Sequence, residues 1–197
     1  MGPLKGIKVL EFSGIGPGPY CGMLLADMGA DVIRVNRIND KDKHNKFDIH
    51  NRSKRSIVAD LKNPNSINEL LKLISSVDVV FEGFRPGVME KLGLGPDECF
   101  KKNEALVYGR MTGWGQDGPM SKMAGHDINY IGLSGALHAI GKKDSNPIIP
   151  LNLIGDYGGG GMMLAMGILA AVISSIKTGK GQVVDSAMID GSLSLMS

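Results

Sequence analysis

The fold is decided near the N-terminus, where residues 7–19 read IKVLEFSGIGPGP. Residues 7–12 are rich in β-branched and apolar side chains, which is typical of a strand. The glycines and prolines predict a turn, and residues 20–28 then carry apolar side chains at helical spacing up to Gly29, a natural C-cap. Residues 31–35 read DVIRV and predict a second strand. This order forms the β-α-β unit from which parallel sheets are built.

The same alternation of strands and helices continues through the first half of the chain. It predicts the α/β class, as a Rossmann-like parallel sheet flanked by helices. The polar residues 39–53 predict a surface loop. The remaining elements predicted in this half are strands at residues 56–61, 78–82 and 105–111 and helices at residues 66–75 and 87–92.

After residue 112 the pattern changes to longer loops and helices. The final residues, from 191 onward, look like the start of a helix that nothing caps. We therefore expect residues 1–197 to form one Rossmann-like domain at the N-terminal end of a longer chain, with a second domain largely missing. The elements predicted here are a glycine-rich loop at 112–119, a helix at 127–137, an extended stretch at 146–153, an apolar helix at 158–176 and a strand at 183–188.

The composition excludes several classes of function. The net charge of +2 gives no whole-protein field for a nucleic-acid partner. Cys21 and Cys99 have no disulfide or metal spacing and predict reduced thiols. The N-terminus has no signal pattern, and the longest apolar run, residues 162–176, is shorter than the ~20 residues that span a bilayer. We expect no membrane span and a cytoplasmic location, or a mitochondrial or peroxisomal one in a eukaryote.

No spacing of histidines indicates a metal site, so no metal is expected. His44, His50 and His138 are interpreted as surface or incidental residues.

The glycine turn between the first strand and helix lies where dinucleotide-binding folds hold a phosphate. It departs from GxGxxG because its sixth residue is Pro19. The second strand ends at Asn36 and Arg37, where an NAD site needs an acidic residue. Arg37 suits a ribose phosphate, which coenzyme A carries. A plain strand-to-helix turn is the alternative for the glycines.

Five basic residues lie at strand ends and loops of the first half, where they could together bind a polyphosphate. Each of them alone is better explained as a solvated surface charge. They are Lys54, Arg55, Lys62, Arg85 and Lys91.

His126 lies between Gly125 and Asp127, just before a predicted helix. Free backbone N–H groups at a helix start can stabilise an enolate oxyanion, and histidine is the usual general base near neutral pH. The alternative is that Asp127 is an N-cap against which His126 packs.

Asp156 lies in LIGDYGGGG, residues 153–161, between an apolar stretch and an apolar helix. It is either an N-cap or a proton donor whose pKa is raised by apolar surroundings. Four glycines in a first helical turn cost roughly 1 kcal/mol each, which indicates a need for backbone room. We expect a bulky ligand to lie against them.

With these stretches in place, the chain resembles the type III CoA-transferase (CaiB/BaiF) family along essentially its whole length, and within it the α-methylacyl-CoA racemases. The matching stretches are residues 4–19, ADLK at 59–62, GFRPGV at 83–88, TGWGQ at 112–116, GHDINY at 125–130, NLIGD at 152–156 and TGKGQ at 178–182.

The resemblance implies the large domain of an interlocked homodimer that acts on an acyl-CoA. His126 and Asp156 would be the acid/base residues on opposite faces of the α-carbon, with the thioester oxygen on the backbone N–H of Asp127. Exposed methionines would carry the acyl chain, and a glutamate supporting His126 would lie beyond Ser197. No cofactor is implied, because coenzyme A is part of the substrate. The implied CoA contacts are Arg37, Ala59, Asp60, Leu61, Lys62, Gly83, Phe84, Arg85, Lys91, Gly125, His126, Asp127, Ile128, Asn129 and Tyr130.

Three functions follow as hypotheses. The first is interconversion of (R)- and (S)-2-methylacyl-CoA through an enolate. The second is CoA transfer between carboxylic acids, with Asp156 as the nucleophile. The third is a catalytically incomplete CoA-binding fragment.

Overall fold

Six parallel strands form one sheet in the order β3-β2-β1-β4-β5-β6 in the computed structural model, which describes residues 2–12, 14–38 and 47–197. All five neighbouring pairs are parallel. This is the doubly wound order of the Rossmann fold, so the predicted fold class is confirmed. The strands are β1 (Lys8–Phe12), β2 (Asp31–Asn36), β3 (Lys54–Val58), β4 (Val79–Glu82), β5 (Val107–Thr112) and β6 (Gln182–Ala187).

Helices cover both faces of the sheet and connect successive strands. A 3-10 turn at Ile49–Asn51 and a π-helix at Leu153–Met162 complete the described elements. The α-helices are α1 (Pro17–Asp27), α2 (Pro64–Ile74), α3 (Val88–Lys91), α4 (Pro96–Phe100), α5 (Asp127–Leu133), α6 (Ala136–Ala139), α7 (Met163–Thr178) and α8 (Met188–Ser194).

The core has two layers because successive strand residues point to opposite faces. On one face, Val9 packs with side chains of α1 and α7 such as Leu25 and Ile168. On the other face, Leu10 packs with side chains of α2 and α4 such as Ile74. The sheet is covered on both faces at its centre, and every residue of β4 and β5 is accordingly buried.

Two predicted elements differ clearly from the structure in their boundaries, and one short helix was missed. The third strand lies at Lys54–Val58 rather than at 56–61, because this edge strand is largely exposed and its apolar pattern is weak. The helix predicted over 127–137 is two helices, because Gly135 has φ of 84° and interrupts it. The short α4 was not predicted. Of the loop predicted at 39–53, residues 39–46, including His44, lie outside the described residues.

The apolar helix predicted at 158–176 is also different in kind. Its α-helical part begins at Met163, and the ten residues before it form the π-helix. Residues 153–178 thus make one continuous helix of 26 residues, long and apolar enough to meet the size requirement for a membrane span. The length argument from sequence was therefore wrong. Half of its most apolar window is buried within the domain, as in a core helix.

Candidate active site

The predicted catalytic residues lie at the carboxyl edge of the sheet, near the start of α1. Gly16 caps α1 with φ of 66°. A Cβ built on Gly16 would lie 3.5 Å from Oδ2 of Asp156, so this carboxyl faces the turn that follows β1. Strand order reverses between β1 and β4, and doubly wound folds bind ligands outside the carboxyl ends of strands at such a point.

His126 is the N-cap residue of α5, and its side chain is exposed. Its backbone N–H donates to the side-chain oxygen of Asn129 at 2.9 Å, which holds the first turn. The prediction that His126 lies at a helix start is confirmed. Asp127 is the first helical residue and is buried, so the alternative in which Asp127 is the N-cap is wrong.

Asp127 joins α5 to the π-helix. Its Oδ2 accepts the backbone N–H of Asp156 at 2.8 Å, across 29 positions of sequence. A Cβ on Gly155 would come within 2.8 Å of the same oxygen, so the contact requires glycine there. Oδ1 of Asp127 is buried and has no hydrogen-bond partner among the described residues. The carboxylate of Asp127 thus brings the segments of His126 and Asp156 together.

The surroundings of Asp156 favour its protonated form. Burial raises the pKa of this carboxyl most, and the nearby charge of Asp127 raises it further. A hydrogen bond from the Asn152 side chain and the charge of His126 act on the pKa in the opposite direction. The raised pKa expected from the sequence is therefore confirmed.

The buried side chain of Tyr130 lies beside these residues. Its ring meets the Trp114 ring edge to face, with centroids 4.8 Å apart. A Cβ on Gly125 would lie 2.7 Å from the Tyr130 ring, so Gly125 makes room for it. Burial raises the pKa of the Tyr130 phenol to about 12, and the charges of Asp156 and Asp127 contribute to the shift. Tyr130 therefore stays a neutral hydroxyl beside the carboxyls.

The glycines after Asp156 serve packing within the chain. A Cβ on Gly159 would lie 2.6 Å from the backbone nitrogen of Ser192 in α8, and one on Gly161 would lie 2.7 Å from the Pro17 carbonyl in α1. The expectation that a bulky ligand lies against these glycines was wrong, because two helices occupy that space. The N-cap interpretation of Asp156 was also wrong, since Asn152 caps the π-helix and Asp156 lies inside it.

A groove of about 490 Å³ lies outside the carboxyl ends of β2, β3 and β4. The guanidinium of Arg37 stands 5.6 Å from the centre of the Phe84 ring, on which it stacks. Six of the predicted CoA positions are thus brought together. The lining residues are Arg37, Ile38, Ala59, Asp60, Leu61, Lys62, Phe84, Val88 and Leu92.

The other predicted CoA positions lie beside or away from this groove. Gly83 and Arg85 flank Phe84 and are exposed, and Lys91 lies on α3 between two lining residues. Residues 125–130 belong to the cluster around His126 and do not line the groove. The structure therefore divides the predicted positions into a groove and an acid/base cluster.

Lys54 and Arg55, expected as candidates for binding phosphate, are engaged elsewhere. The ammonium of Lys54 lies 2.6 Å from Glu11 Oε2, with only 2% of its side chain exposed. Arg55 forms an ion pair with Asp31. Both basic side chains therefore balance carboxylates of the chain itself. The interpretation as a phosphate contact was wrong for Lys54, which is buried, whereas Arg55, 65% exposed, agrees with the alternative of a solvated surface charge.

A buried ionic network below the groove was not predicted. Glu82, at the end of β4, accepts the backbone N–H of Phe84 at 2.6 Å and the Nε–H of Arg110 at 3.2 Å. Arg110 also donates to Glu90 on α3 at 2.8 Å. Burial raises the pKa of Glu82 to about 7. The signal was present as a glutamate that ends the otherwise apolar strand VVFE.

Among residues 2–12, 14–38 and 47–197, no three His, Cys, Asp or Glu side chains lie close enough together to hold a metal ion. Cys21 and Cys99 are buried free thiols.

Comparison with known proteins finds relatives that are named as racemases and as CoA-transferases. The chain is 47% identical over 194 residues to a protein of Mus musculus named alpha-methylacyl-CoA racemase, and 48% identical over 196 residues to its Homo sapiens counterpart. Each alignment covers 98% of this chain and 50% of the relative, so the chain spans about half the length of the curated relatives it matches. It is also 35% identical to succinate–glutarate CoA-transferase of Agrobacterium fabrum, covering 95% of this chain and 51% of that one.

A solved structure of the same kind has the same fold. The crystal structure of a CaiB/BaiF family protein from Brucella suis matches with a TM-score of 0.90 at 32% identity, over 100% of this chain and 56% of the other. The model of CoA-transferase family III matches residues 4–197. The chain thus belongs to CoA-transferase family III, which contains both racemases and CoA-transferases.

Proposed function

We propose that the protein containing this chain interconverts (R)- and (S)-2-methylacyl-CoA thioesters. The observation that carries the proposal is the cluster in which Asp127 ties the segment of Asp156 to the helix start at His126. It brings an exposed imidazole and a carboxyl with a raised pKa to one edge of the sheet. The 47–48% identity to the mammalian racemases favours this reaction within the family.

In the proposed mechanism one residue removes the α-proton and the other returns a proton to the opposite face. The thioester acidifies the α-carbon, and the intermediate is its enolate. A raised pKa suits Asp156 to hold the proton that it delivers, while an exposed imidazole suits His126 as the base for the other stereoisomer. The backbone N–H of Asp127, in the first turn of α5, would hold the enolate oxygen.

The groove lined by Arg37 and Phe84 is the proposed binding site of the coenzyme A moiety. Arg37 and Lys62 offer cations to phosphates, and Phe84 offers an aromatic face. From the resemblance we further propose that the whole protein is an interlocked homodimer. The exposed side chains of Met166, Ile173 and Ile176 on α7 agree with a covered face in such an assembly.

Exchange of the α-proton tests the proposal. The full-length protein is incubated with a 2-methylacyl-CoA in D₂O, and deuterium incorporation is followed by mass spectrometry. We expect His126→Ala and Asp156→Asn each to slow exchange by at least ~100-fold, the usual contribution of an acid/base group. Asp97→Asn, the same chemical change at an exposed position of α4, should leave exchange unchanged. Wild-type exchange rates in both active-site variants would falsify the assignment.

CoA transfer is the second candidate, because a succinate–glutarate CoA-transferase is among the relatives. Asp156 would then attack the thioester and form an acyl anhydride. Hydroxylamine added during turnover, followed by peptide mass analysis, identifies this route as a hydroxamate at Asp156. We expect no adduct, because the chain is more similar to the mammalian racemases than to this transferase, and the raised pKa of Asp156 works in the same direction by making its attacking, ionised form less abundant.

A further inference from the structure

Three side chains outside the proposed acid/base pair form a polar chain that ends next to Asp156. Oδ1 of Asp48 lies 3.4 Å from Nδ1 of His50, and Nε2 of His50 lies 3.4 Å from the hydroxyl of Tyr157. The His50 tautomer that carries its proton on Nδ1, the nitrogen on the Asp48 side, presents a lone pair on Nε2 to the Tyr157 hydroxyl. His50, interpreted from sequence as incidental, is therefore the middle member of a connected set.

The Asp48 end is anchored to the sheet. Oδ2 of Asp48 accepts from the Asn51 side chain at 2.8 Å, and Oδ1 accepts the backbone N–H of His50 at 3.1 Å. The Asn51 side-chain oxygen in turn accepts from Arg34 of β2. The orientation of His50 is thus set by contacts that lead back to a central strand.

The Tyr157 end is anchored to the π-helix and to α1. The rings of Tyr157 and Tyr20 lie 4.7 Å apart, and the ring of His50 lies 5.7 Å from that of Tyr157. Tyr20 itself packs against the π-helix, since a Cβ on Gly161 would lie 2.7 Å from its ring. Asp156 immediately precedes Tyr157, and its carboxyl faces Gly16 at the start of the same helix α1.

This anchoring matters because the segment has little intrinsic preference for its conformation. A π-helix closes i→i+5 hydrogen bonds and is rarely stable for long, and four consecutive glycines favour no helix strongly. A change to α-helical winding would turn the Asp156 side chain away from Gly16. When the Tyr157 side chain is held in place, the neighbouring Asp156 keeps its π-helical backbone conformation.

We propose that Asp48, His50 and Tyr157 are positioning residues, which hold the π-helix in the winding that directs the Asp156 carboxyl at the reacting carbon. The expected effect of these residues on the reaction rate rests on the proposed racemase function. Their effect on the position of the Asp156 carboxyl does not depend on that function. The groups that face Asp156 from other elements are Asp127, His126 and Tyr130 on or next to α5, together with Asn152.

Titration of the Asp156 carboxyl carbon by ¹³C NMR in the full-length protein measures the placement directly, with the signal assigned by its loss in Asp156→Asn. Tyr157→Phe keeps the ring against Tyr20 and removes the hydroxyl that meets His50. We expect its Asp156 midpoint to fall by at least about 0.5 pH unit, because a loosened segment gives the carboxyl more water. Tyr20→Phe, the same change on the neighbouring ring, should leave the midpoint unchanged.

His50 variants provide a second, independent reading if Tyr157→Phe does not fold. His50→Asn keeps an amide near Asp48 and loses the atom that meets Tyr157, so its midpoint should fall as well. His50→Gln places an amide near the former Nε2 and should restore most of the midpoint. In the exchange assay the disrupting variants should lose about tenfold in kcat with little change in KM, since a misplaced catalytic group costs rate rather than binding.

Midpoints equal to wild type in both Tyr157→Phe and His50→Asn would overturn the positioning role, as would an equal fall in Tyr20→Phe. The titration needs no turnover. A wild-type protein that exchanges no α-proton would therefore count against the proposed function alone, and the carboxyl midpoints would still decide the positioning role.

Discussion

At the residue scale, the ion pair between Glu11 and Lys54 shows how burial shifts the pKa values of two charged side chains. Both side chains are almost fully buried, and Lys54 also donates to the Pro19 carbonyl at 2.9 Å. Burial raises the pKa of Glu11 and lowers that of Lys54, and each partner opposes the shift of the other. A Cβ on Gly22 would overlap Glu11 Oε2, so α1 carries a glycine where it passes over the pair.

The pair predicts unequal effects of two neighbouring substitutions. Lys54→Met keeps the length of the side chain and leaves the buried Glu11 carboxylate with only the more distant Arg34 guanidinium, 3.9 Å away, which should lower the free energy of unfolding by about 3 kcal/mol. Arg55→Met breaks the adjacent pair with Asp31, whose side chains are 65% and 46% exposed, and should cost no more than about 1 kcal/mol. Urea unfolding of both variants measures the difference, and equal losses would contradict the burial argument.

At the element scale, the π-helix is defined by how closely its neighbours approach. Gly159 in the π-helix and Gly191 in α8 lie backbone to backbone, and a Cβ on Gly191 would overlap the Gly159 carbonyl. The hydroxyl of Ser192 donates to the Met188 carbonyl at 2.7 Å within α8. The buried serine hydroxyl at this crossing of the two helices therefore has a hydrogen-bond partner. Small residues on both elements allow a separation that side chains would prevent.

Gly191→Ala should therefore destabilise the protein by about 1–3 kcal/mol, the usual cost of overpacking, because the methyl group meets backbone that has no room to move. Gly132→Ala in α5 is the matched control. Nothing lies within 4 Å of a Cβ at Gly132, so alanine there should stabilise the protein by about 0.5–1 kcal/mol through its helix preference. Thermal unfolding followed by circular dichroism gives both values. Destabilisation of the same size in both variants would mean that glycine at the crossing has no special role.

Element prediction succeeded where local pattern and packing agree. The first β-α-β unit and the helix start at His126 follow from apolar spacing and turn residues. The π-helix could not be predicted, because five of its ten residues are glycines, which carry no apolar side chain that could reveal a helical period. Its conformation depends on α1 and α8 lying against its glycines.

At the scale of the whole molecule, the stability of the domain depends on pH through Glu82. Its pKa of about 7 in the folded state lies above the ordinary value of 4.5. Between these two pH values Glu82 binds more protons in the folded state than in the unfolded state, so its contribution to stability is greatest below pH 4.5 and falls as the pH rises to about 7. The loss from this one group is on the order of 2–3 kcal/mol.

Glu82→Gln tests this dependence, since the amide keeps an oxygen to accept the Phe84 N–H but does not ionise. We expect the variant to lose most of the decrease in unfolding free energy between pH 5 and pH 8, as measured by urea unfolding at several pH values. Glu98→Gln, which removes an exposed carboxylate beside Lys101, should retain the wild-type dependence. An unchanged slope in Glu82→Gln would assign the pH dependence to other groups.

The alternation of strands and helices, the order of the family motifs and the helix start at His126 can all be read from the amino-acid sequence. These features depend on neighbours within a few positions, where backbone preference and apolar period act. The contacts of Asp127 with Asp156, of Lys54 with Glu11 and of His50 with Tyr157 become visible only in the folded domain, because these pairs are separated by 29, 43 and 107 positions. Such pairs form because folding removes both groups from water together, and a linear pattern does not record which groups share a buried site.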